Sequence, residues 1–191
     1  KTPLSLILAP ISQLQRSNTD PQAQNQLASI KRNCQRLLEL INQLLQLSQR
    51  PSTAIYTVSP YSITTFLTDL VADFSALFEQ KQLQFSFDDT TSTTCKINLA
   101  PEHAHSIFSN LISNALKYTP NGGKVDIQLD EVQQQLIFKI TDTGVGIASE
   151  HQQSIFQRFT RVASSEPGSG IGLSLVKQLV EQYGGSISVS S

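Results

Sequence analysis

The sequence contains neither methionine nor tryptophan, and only two of its 191 residues are cysteines. Cys34 and Cys95 are far apart and form no CxxC pair, which argues against a disulfide framework or a zinc site and favours a reducing, cytoplasmic compartment. No apolar run has the length of a membrane span, and no signal peptide is recognisable. Because the chain opens on Lys1 without a methionine and stops within the alternating pattern SISVSS, we expect a fragment of a longer protein.

Charge is also scarce in this sequence. Charged residues make up 15% of the chain, and the formal net charge is −1. No basic surplus points to a nucleic-acid partner, and no acidic tail points to a basic one. Hydrophobic residues make up 39%, which is enough for the core of one or two domains.

Heptad spacing predicts two helices in the first 48 residues. Asp20 is a good N-cap and Pro21 a good first helical residue, so the second helix is expected to begin there. The short connection RSNTDPQ predicts an antiparallel helical hairpin, and Pro10 should bend its first helix. The apolar stripe of the first helix is Leu4, Ile7, Ile11 and Leu14, and that of the second is Leu27, Ile30, Cys34, Leu37, Ile41 and Leu44.

The second helix carries more apolar surface than one hairpin can cover. Leu38, Leu40, Leu45 and Leu47 widen its face beyond a single seam. Two hairpins that pair into a four-helix bundle would bury this surface. The pattern therefore predicts a homodimer through residues 1–48.

The rest of the chain alternates between helical and strand patterns. We predict a hairpin domain over residues 1–50, a linker with a first strand over 51–60, and a second domain over 61–191. Helices are expected at 62–80, 101–118 and 171–183, and strands at 83–88, 95–98, 125–130, 136–142 and 186–190. This order predicts an α+β chain whose second domain is an α/β sandwich with helices on one face of the sheet.

The stretch NLISNALKYT places two amides and an ammonium on one helix face. Asn110, Asn114 and Lys117 are spaced four and three residues apart within an otherwise apolar helix. They could simply form the wet face of a surface helix. They could also face an anionic ligand with its metal, because an amide oxygen suits Mg²⁺ and a lysine suits phosphate.

The stretch DTGVGI follows a predicted strand. Its glycines allow a tight turn and a close approach of the backbone to a ligand. Asp142, at the strand end in an otherwise apolar pocket, could accept a hydrogen bond from an exocyclic amine such as that of adenine. Asp-Thr-Gly also occurs in plain turns and in aspartic proteases, but the rest of the sequence does not fit a protease.

The stretch FQRFTRVASSEPGSGIGLSLV combines aromatic, arginine and glycine residues ahead of a helix. Glycines at a helix N-terminus let phosphates approach its free N–H groups, although a plain loop with a helix cap would look similar. The pattern is neither a Walker A loop nor a dinucleotide-binding fingerprint. The polar segment from Thr160 to Gly170 predicts a mobile lid, with a surface loop as the alternative.

These three stretches, which hold four motifs in this order, resemble the catalytic core of sensor histidine kinases, whose ATP-binding domain (the GHKL or Bergerat type) is shared with DNA gyrase and a large heat-shock chaperone. NLISNALKYT resembles the N box, DTGVGI the first glycine box, FQRF the F box and GSGIGL the second glycine box. KTPLSLILAPI resembles the run that follows the phosphoacceptor histidine. The resemblance covers nearly the whole chain and implies a two-component kinase that uses ATP and Mg²⁺.

The resemblance also implies roles for individual residues. Asn114 would bind Mg²⁺ with Asn110 beside it, Lys117 would reach the phosphates, and Tyr118 would pack by the nucleotide. Asp142 would bind the adenine amino group, and Gly144 and Gly146 would shape that wall. Arg161, with Arg158 as the alternative, would approach the terminal phosphate. The triphosphate would be lined by Gly168, Ser169, Gly170, Gly172 and Leu173.

The resemblance places the phosphoacceptor histidine just upstream of Lys1. His103, His105 and His151 are the only histidines of the chain, and none lies on the predicted hairpin. Thr2 matches the family's threonine that positions a water for dephosphorylating the partner, although a plain helix residue before a proline would look the same. The implied partners are a second copy of the chain and a response-regulator receiver domain, and any membrane anchor would belong to other parts of the full-length protein.

Two other function classes remain open from the sequence. A degenerate relative could bind nucleotide and dimerise without transferring phosphate. An ATP-hydrolysing machine like the gyrase relatives would need a general base just ahead of the metal-binding asparagine, and the only carboxylate of this helix, Glu102, is two turns away.

Overall fold

The structure, a computed structural model, describes residues 10–15, 20–48, 60–91, 95–133, 135–162 and 169–191. The chain divides into two compact units, Lys1–Arg50 and Pro51–Ser191. Three predicted features lie outside the described residues. These are the residues before Pro10, with Thr2, the predicted connection at 16–19, and the predicted linker at 51–59. The bend at Pro10 and the domain boundaries stay predictions.

The first unit is helical wherever it is described. Residues 10–15 form the described part of helix α1, and α2 is Pro21–Ser48. Asp20 is the N-cap of α2, as predicted. Its Oδ1 accepts from Gln22 N at 3.0 Å, and its carbonyl accepts from Gln24 N at 2.9 Å. The first contact satisfies an N–H group that a helix start otherwise leaves without a partner, and the second is the first hydrogen bond of the helix itself.

Part of the predicted apolar seam is uncovered in a single chain. Ile11 is buried, but Ile30, Leu37 and Ile41 of α2 keep 46%, 51% and 42% of their surface exposed. Their spacing of seven and four residues puts them along one side of the helix.

The second unit alternates strands and helices. In chain order its elements are β1 (Tyr61–Ser62), α3 (Ile63–Gln80), β2 (Gln84–Asp89), β3 (Lys96–Ile97), α4 (Pro101–Tyr118), β4 (Lys124–Val132), β5 (Gln135–Asp142), a 3-10 turn (Ser154–Phe156) and α5 (Gly172–Gln182). The three predicted helices are confirmed to within a residue at each end, because their ends carry local signals. Ser62 Oγ accepts from Thr65 N at the start of α3, Pro101 opens α4, and Gly184 follows α5 with φ of +75°.

Three strands form the main sheet, in the order β2-β4-β5. β2 runs parallel to β4, and β5 runs antiparallel to it with Asp142 opposite Val125. One face of β4 is buried through Val125, Ile127 and Leu129. On the same side of β5, the ring of Phe138 lies 4.8 Å from that of Phe108 on α4. The helices therefore cover one face of this sheet, as predicted.

One strand prediction needs correction, and the predicted sheet is divided. β3 confirms the predicted strand at 95–98, but among the described residues it pairs only with β1, in a ribbon separate from the main sheet. Residues 186–190, predicted to be the last strand, form no strand with any partner among the described residues. Alternation shows which way side chains point, but a strand also needs a neighbour for its backbone groups, and alternation does not reveal that neighbour.

Candidate functional site

Helix α4 is the scaffold of the candidate site. Ile107, Ile112 and Ala115 are buried on its core side. Asn110, Asn114 and Lys117 are half-buried, in line along the helix at the border of this apolar face. The structure therefore places the amide line neither in the core nor in open solvent.

Asn110 joins α4 to the start of α5. Its Nδ2 donates to Ser106 O at 2.6 Å. A Cβ on Gly172 would lie 2.5 Å from Asn110 Oδ1, closer than any side chain allows. The second glycine segment (GSGIGL, residues 168–173) therefore lies so close to α4 at Gly172 that a side chain there would have to displace the Asn110 amide.

Asn114 and Lys117 differ in what they contact. The Asn114 side chain makes no hydrogen bond within the described part of the chain. Lys117 Nζ donates to Tyr118 Oη at 3.0 Å and lies 4.6 Å from the centre of that ring. An amide without a partner and an ammonium one turn later are thus both available to an anionic ligand.

The first glycine segment (DTGVGI, residues 142–147) packs against the end of α4. Gly144 N donates to Asp142 Oδ1 at 2.8 Å, and a Cβ on Gly144 would lie 2.7 Å from the carbonyl oxygen of Tyr118. Asp142 lies at the end of β5 as predicted, on the side of the sheet that faces the helices. Asp142 is exposed, and the apolar pocket expected around it stays a prediction.

Gln152 and Ser191, which the sequence did not single out, hold the turn that contains Gly146 and Ile147. Gly146 has φ of +71°, and Ile147 N donates to Ser191 Oγ at 2.8 Å. Gln152 Nε2 donates to Ile147 O at 3.1 Å and to Ser191 O at 3.3 Å. Because Ser191 is 44 residues from Ile147, no local pattern announces this contact.

The F box meets the second glycine segment through the backbone. Phe159 N donates to Gly170 O at 2.8 Å, and both residues have positive φ, +64° and +70°. Phe159 is 67% exposed. This hydrogen bond joins the two ends of the predicted lid, whose residues 163–168, with Gly168, lie outside the described residues.

The remaining candidates flank these contacts. Arg158 and Arg161 are both exposed, and Arg158 Nη2 donates to Gln178 Oε1 of α5 at 3.3 Å. Ser169 Oγ accepts from Ile171 N at 3.3 Å, and Leu173 is half-buried in the first turn of α5. The structure thus brings Asn110 to Gly172, Tyr118 to Gly144 and Phe159 to Gly170, whereas Arg158 is engaged with α5.

The donor set restricts the kind of metal site that can form here. Among the described residues, no group of three or more histidine, cysteine or carboxylate side chains could hold a metal ion. An ion beside Asn114 would take the amide oxygen together with oxygens of a ligand or water. Mg²⁺ is commonly bound in this way, with few protein ligands and with substrate phosphates.

Two family models match the chain. Residues 100–191 match the family described as histidine kinase-, DNA gyrase B- and HSP90-like ATPase. Residues 1–53 match the His kinase A (phospho-acceptor) domain. The two matches correspond to the helical unit and to the part of the second unit that carries all four motifs.

Individual proteins agree with both matches. The chain is 33% identical over 191 residues to the sensor protein kinase PmrB of Pseudomonas aeruginosa, covering 98% of this chain and 39% of that protein. It is 32% identical to the circadian input-output histidine kinase CikA of Synechococcus elongatus, covering 100% of this chain and 26% of that protein. The chain thus spans less than half the length of these relatives.

A solved structure supports the fold. The crystal structure of full-length ShkA in complex with AMPPNP matches with a TM-score of 0.79 at 23% identity, covering 100% of this chain and 40% of ShkA. Within the part of the chain that the structure describes, no helix combines the length and the apolar character needed to cross a bilayer. With a helical phosphoacceptor-type unit followed by an α/β sandwich of the GHKL type, the chain belongs to the sensor histidine kinases and represents their catalytic core.

Proposed function

We propose that this chain binds Mg-ATP in its second unit and transfers the γ-phosphate to a histidine on the helical unit of the kinase. The observation that carries the proposal is the convergence on α4. One glycine segment meets this helix at Asn110, and the other meets it at Tyr118. Asn114 and Lys117 lie on the helix between these two contacts. This arrangement offers backbone N–H groups, an amide and an ammonium to one anionic ligand.

The nucleotide would lie between the two glycine segments. Asp142 would accept a hydrogen bond from the adenine amino group, and Gly144 and Gly146 would form the adjoining wall. Tyr118 would pack beside the base. The first turn of α5, with Ser169, Gly170, Gly172 and Leu173 and with Gly168 ahead of it, would present N–H groups to the phosphates.

The residues of the chain would also manage the charge of the transferred group. Asn114 would hold Mg²⁺, which when bound neutralises charge on the phosphate oxygens. Lys117 would contact the same phosphates from the end of α4. Arg161, with Arg158 as the alternative, would approach the terminal phosphate.

In the transfer itself, the bond between the γ-phosphorus and the oxygen that joins it to ADP breaks. A bond from phosphorus to an imidazole nitrogen forms. The phosphorylated nitrogen is a high-energy donor, and the group would pass on to an aspartate of a response-regulator receiver domain. A dimer through residues 1–48 would present the helical units to this partner, and Thr2 would assist the reverse, phosphatase reaction. In the full-length kinase this core would work in the cytoplasm.

The test combines binding with transfer. The chain, extended upstream of Lys1, is incubated with γ-labelled ATP and Mg²⁺, and the label on the protein is tested for acid lability and alkali stability. The Asn114→Asp variant and the 191-residue chain run in parallel. We expect acid-labile, alkali-stable label on the extended chain and none on either control.

Unlabelled protein that still binds Mg-ATP would contradict the transfer. The chain would then be a nucleotide-sensing module. Absence of Mg-ATP binding would contradict the whole proposal.

A further inference from the structure

Lys81 lies far from the four motifs in sequence but directly behind the site in space. It is the C-cap residue of α3. Its Nζ donates to three backbone carbonyls at and beyond the end of α4, those of Leu116 at 2.8 Å, Lys117 at 3.2 Å and Thr119 at 2.9 Å. One ammonium group thus uses its three protons on a single turn.

The end of a helix leaves its last four carbonyls without helical partners. In α4 the first of these, Ala115 O, accepts from Thr119 N at 3.1 Å and from Thr119 Oγ1 at 2.7 Å. The next two carbonyls, those of Leu116 and Lys117, accept hydrogen bonds from Lys81 Nζ. The fourth, that of Tyr118, is the oxygen against which Gly144 packs. Lys81 and Thr119 therefore fix the turn from which the Tyr118 carbonyl meets the first glycine segment.

Charge and surroundings favour this contact. A cation at a helix C-terminus is attracted by the partial negative charge there, and hydrogen bonds from an ionised donor are roughly twice as strong as neutral ones. The turn between α3 and β2, which contains Lys81, is also hydrogen-bonded to the loop after α4. Gly122 N donates to Lys81 O at 3.2 Å, and Gln84 N donates to Gly123 O at 2.8 Å. Thr119, at the centre of the contact, is fully buried.

We infer that Lys81 is a positioning residue of the nucleotide site, which orders the end of α4 so that Lys117, Tyr118 and Gly144 hold their places. The inference rests on the proposed nucleotide binding. Lys81 acts through the backbone of α4 and has no assigned contact with the nucleotide. Loss of its ammonium would release the carbonyls of residues 116 and 117 and loosen the support of Gly144 and Asp142.

The test compares Lys81→Met with wild type in the binding of a fluorescent ATP analogue, with and without Mg²⁺, at a temperature where both are folded. We expect the Kd to rise by about 3- to 10-fold, since removing a residue that acts through others usually costs this much. Lys81→Arg, which keeps the charge and several donors, should recover most of the affinity. Lys139→Met removes an exposed lysine from β5 and should leave the Kd unchanged.

A second readout separates positioning from a general loss of stability. Amide resonances of residues 115–124 and 142–147 should shift in Lys81→Met. They should not shift in this way in Leu67→Ala, which removes a fully buried side chain of α3. Lys81→Gln replaces the Met variant if that variant does not fold.

Each outcome has one meaning. If wild type binds the analogue and Lys81→Met binds it equally well, the inference is wrong. It is also wrong if Leu67→Ala weakens binding or shifts these amides to the same extent as Lys81→Met. If wild type does not bind the analogue, the proposed function itself fails, and the inference falls with it.

Discussion

Asn110 and Asn114 look equivalent in the sequence, but the structure gives them different surroundings. Asn110 is hydrogen-bonded to its own helix through Ser106 O, and its oxygen lies against Gly172. Asn114, one turn later, is half-buried without a hydrogen bond among the described residues. An amide that already has its contacts is suited to hold α5, and one that lacks them is suited to a ligand. Substitution of Asn110 is therefore expected to affect the packing of α5, and substitution of Asn114 is expected to affect ligand binding.

Replacing Asn114 with alanine should remove the effect of magnesium on nucleotide binding. Because the amide oxygen of Asn114 is the proposed protein ligand of the ion, its loss should raise the Kd for ATP in Mg²⁺ by about tenfold or more, towards the value in EDTA. Titration calorimetry with and without Mg²⁺ measures the difference. Ser113→Ala, at the neighbouring exposed position, should behave as wild type. If nucleotide binding by the Asn114→Ala protein still depends on magnesium, the proposed role of Asn114 as a metal ligand is wrong.

Asp89, outside the site, should give the domain an acid-sensitive contact. Burial raises the pKa of Asp89, but hydrogen bonds from Thr91 and Thr64 outweigh it and hold that pKa below its usual value. Thr91 donates to Asp89 Oδ1 through its N at 2.8 Å and through its Oγ1 at 2.7 Å. A folded pKa below the unfolded value means that the carboxylate stabilises above an unfolded pKa of about 3.9. That contribution is lost as the pH falls through the folded pKa.

The corresponding variant is Asp89→Asn, compared with wild type by urea unfolding across a pH series. The difference in unfolding free energy should be largest at about pH 6 and should shrink as the pH falls to about 3 and below. Asp88→Asn, at the exposed position before it, controls for the loss of a carboxylate. A difference that stays constant over this range would mean that Asp89 has the same pKa in both states.

At the scale of elements, the contact between α4 and α5 depends on the missing side chain at residue 172. Gly172→Ala places a methyl group 2.5 Å from Asn110 Oδ1. We expect a loss of about 1 to 3 kcal/mol in unfolding free energy, because the Asn110 amide must move to make room and would give up its hydrogen bond to Ser106 O. In an Asn110→Ala background the obstruction is gone, and the same change should be neutral or stabilise by up to about 1 kcal/mol, since alanine favours a helix over glycine.

Denaturant unfolding of the four proteins in this cycle measures the coupling directly. Equal effects of Gly172→Ala in both backgrounds would show that Asn110 does not set the constraint.

Elements with local signals were predictable from the sequence, and elements that depend on distant partners were not. Helix α4 was predicted to the residue, because Pro101 opens it and its apolar spacing persists to Tyr118. The separate ribbon of β1 and β3 differs from prediction, and so does the run at 186–190, which has no strand partner among the described residues. Pairing is decided by strands elsewhere in the chain. The same limit applies to the site. Its four motifs are local, whereas Lys81 and Ser191 reach it across 35 and 44 residues.

For the whole molecule, the exposed seam of α2 is the feature that calls for a partner. Ile30, Leu37 and Ile41 line one side of α2 and remain exposed in a single chain. Apolar residues at heptad spacing are usually buried when such helices associate. This seam supports the proposed dimer through residues 1–48.

Replacing Leu37 with lysine should weaken this dimer. The change removes an apolar contact and adds a charge on both copies, so the dimer dissociation constant should rise by about 100-fold or more. Sedimentation equilibrium measures it. Ser29→Lys introduces the same charge at an exposed position off the seam of α2 and should leave the constant unchanged. A Leu37→Lys protein that dimerises like wild type would place the interface elsewhere.

The hydrogen bond between Phe159 N and Gly170 O has a consequence for how the chain can change in length. It joins the two residues that flank the segment 160–169, so the ends of that segment are held together whatever its length. For a flexible loop, doubling the number of residues between fixed ends adds only about 0.6 kcal/mol of closure entropy. Insertions and deletions between Phe159 and Gly170 should therefore cost the fold little, and this segment can vary in length while α5 and the F box keep their places.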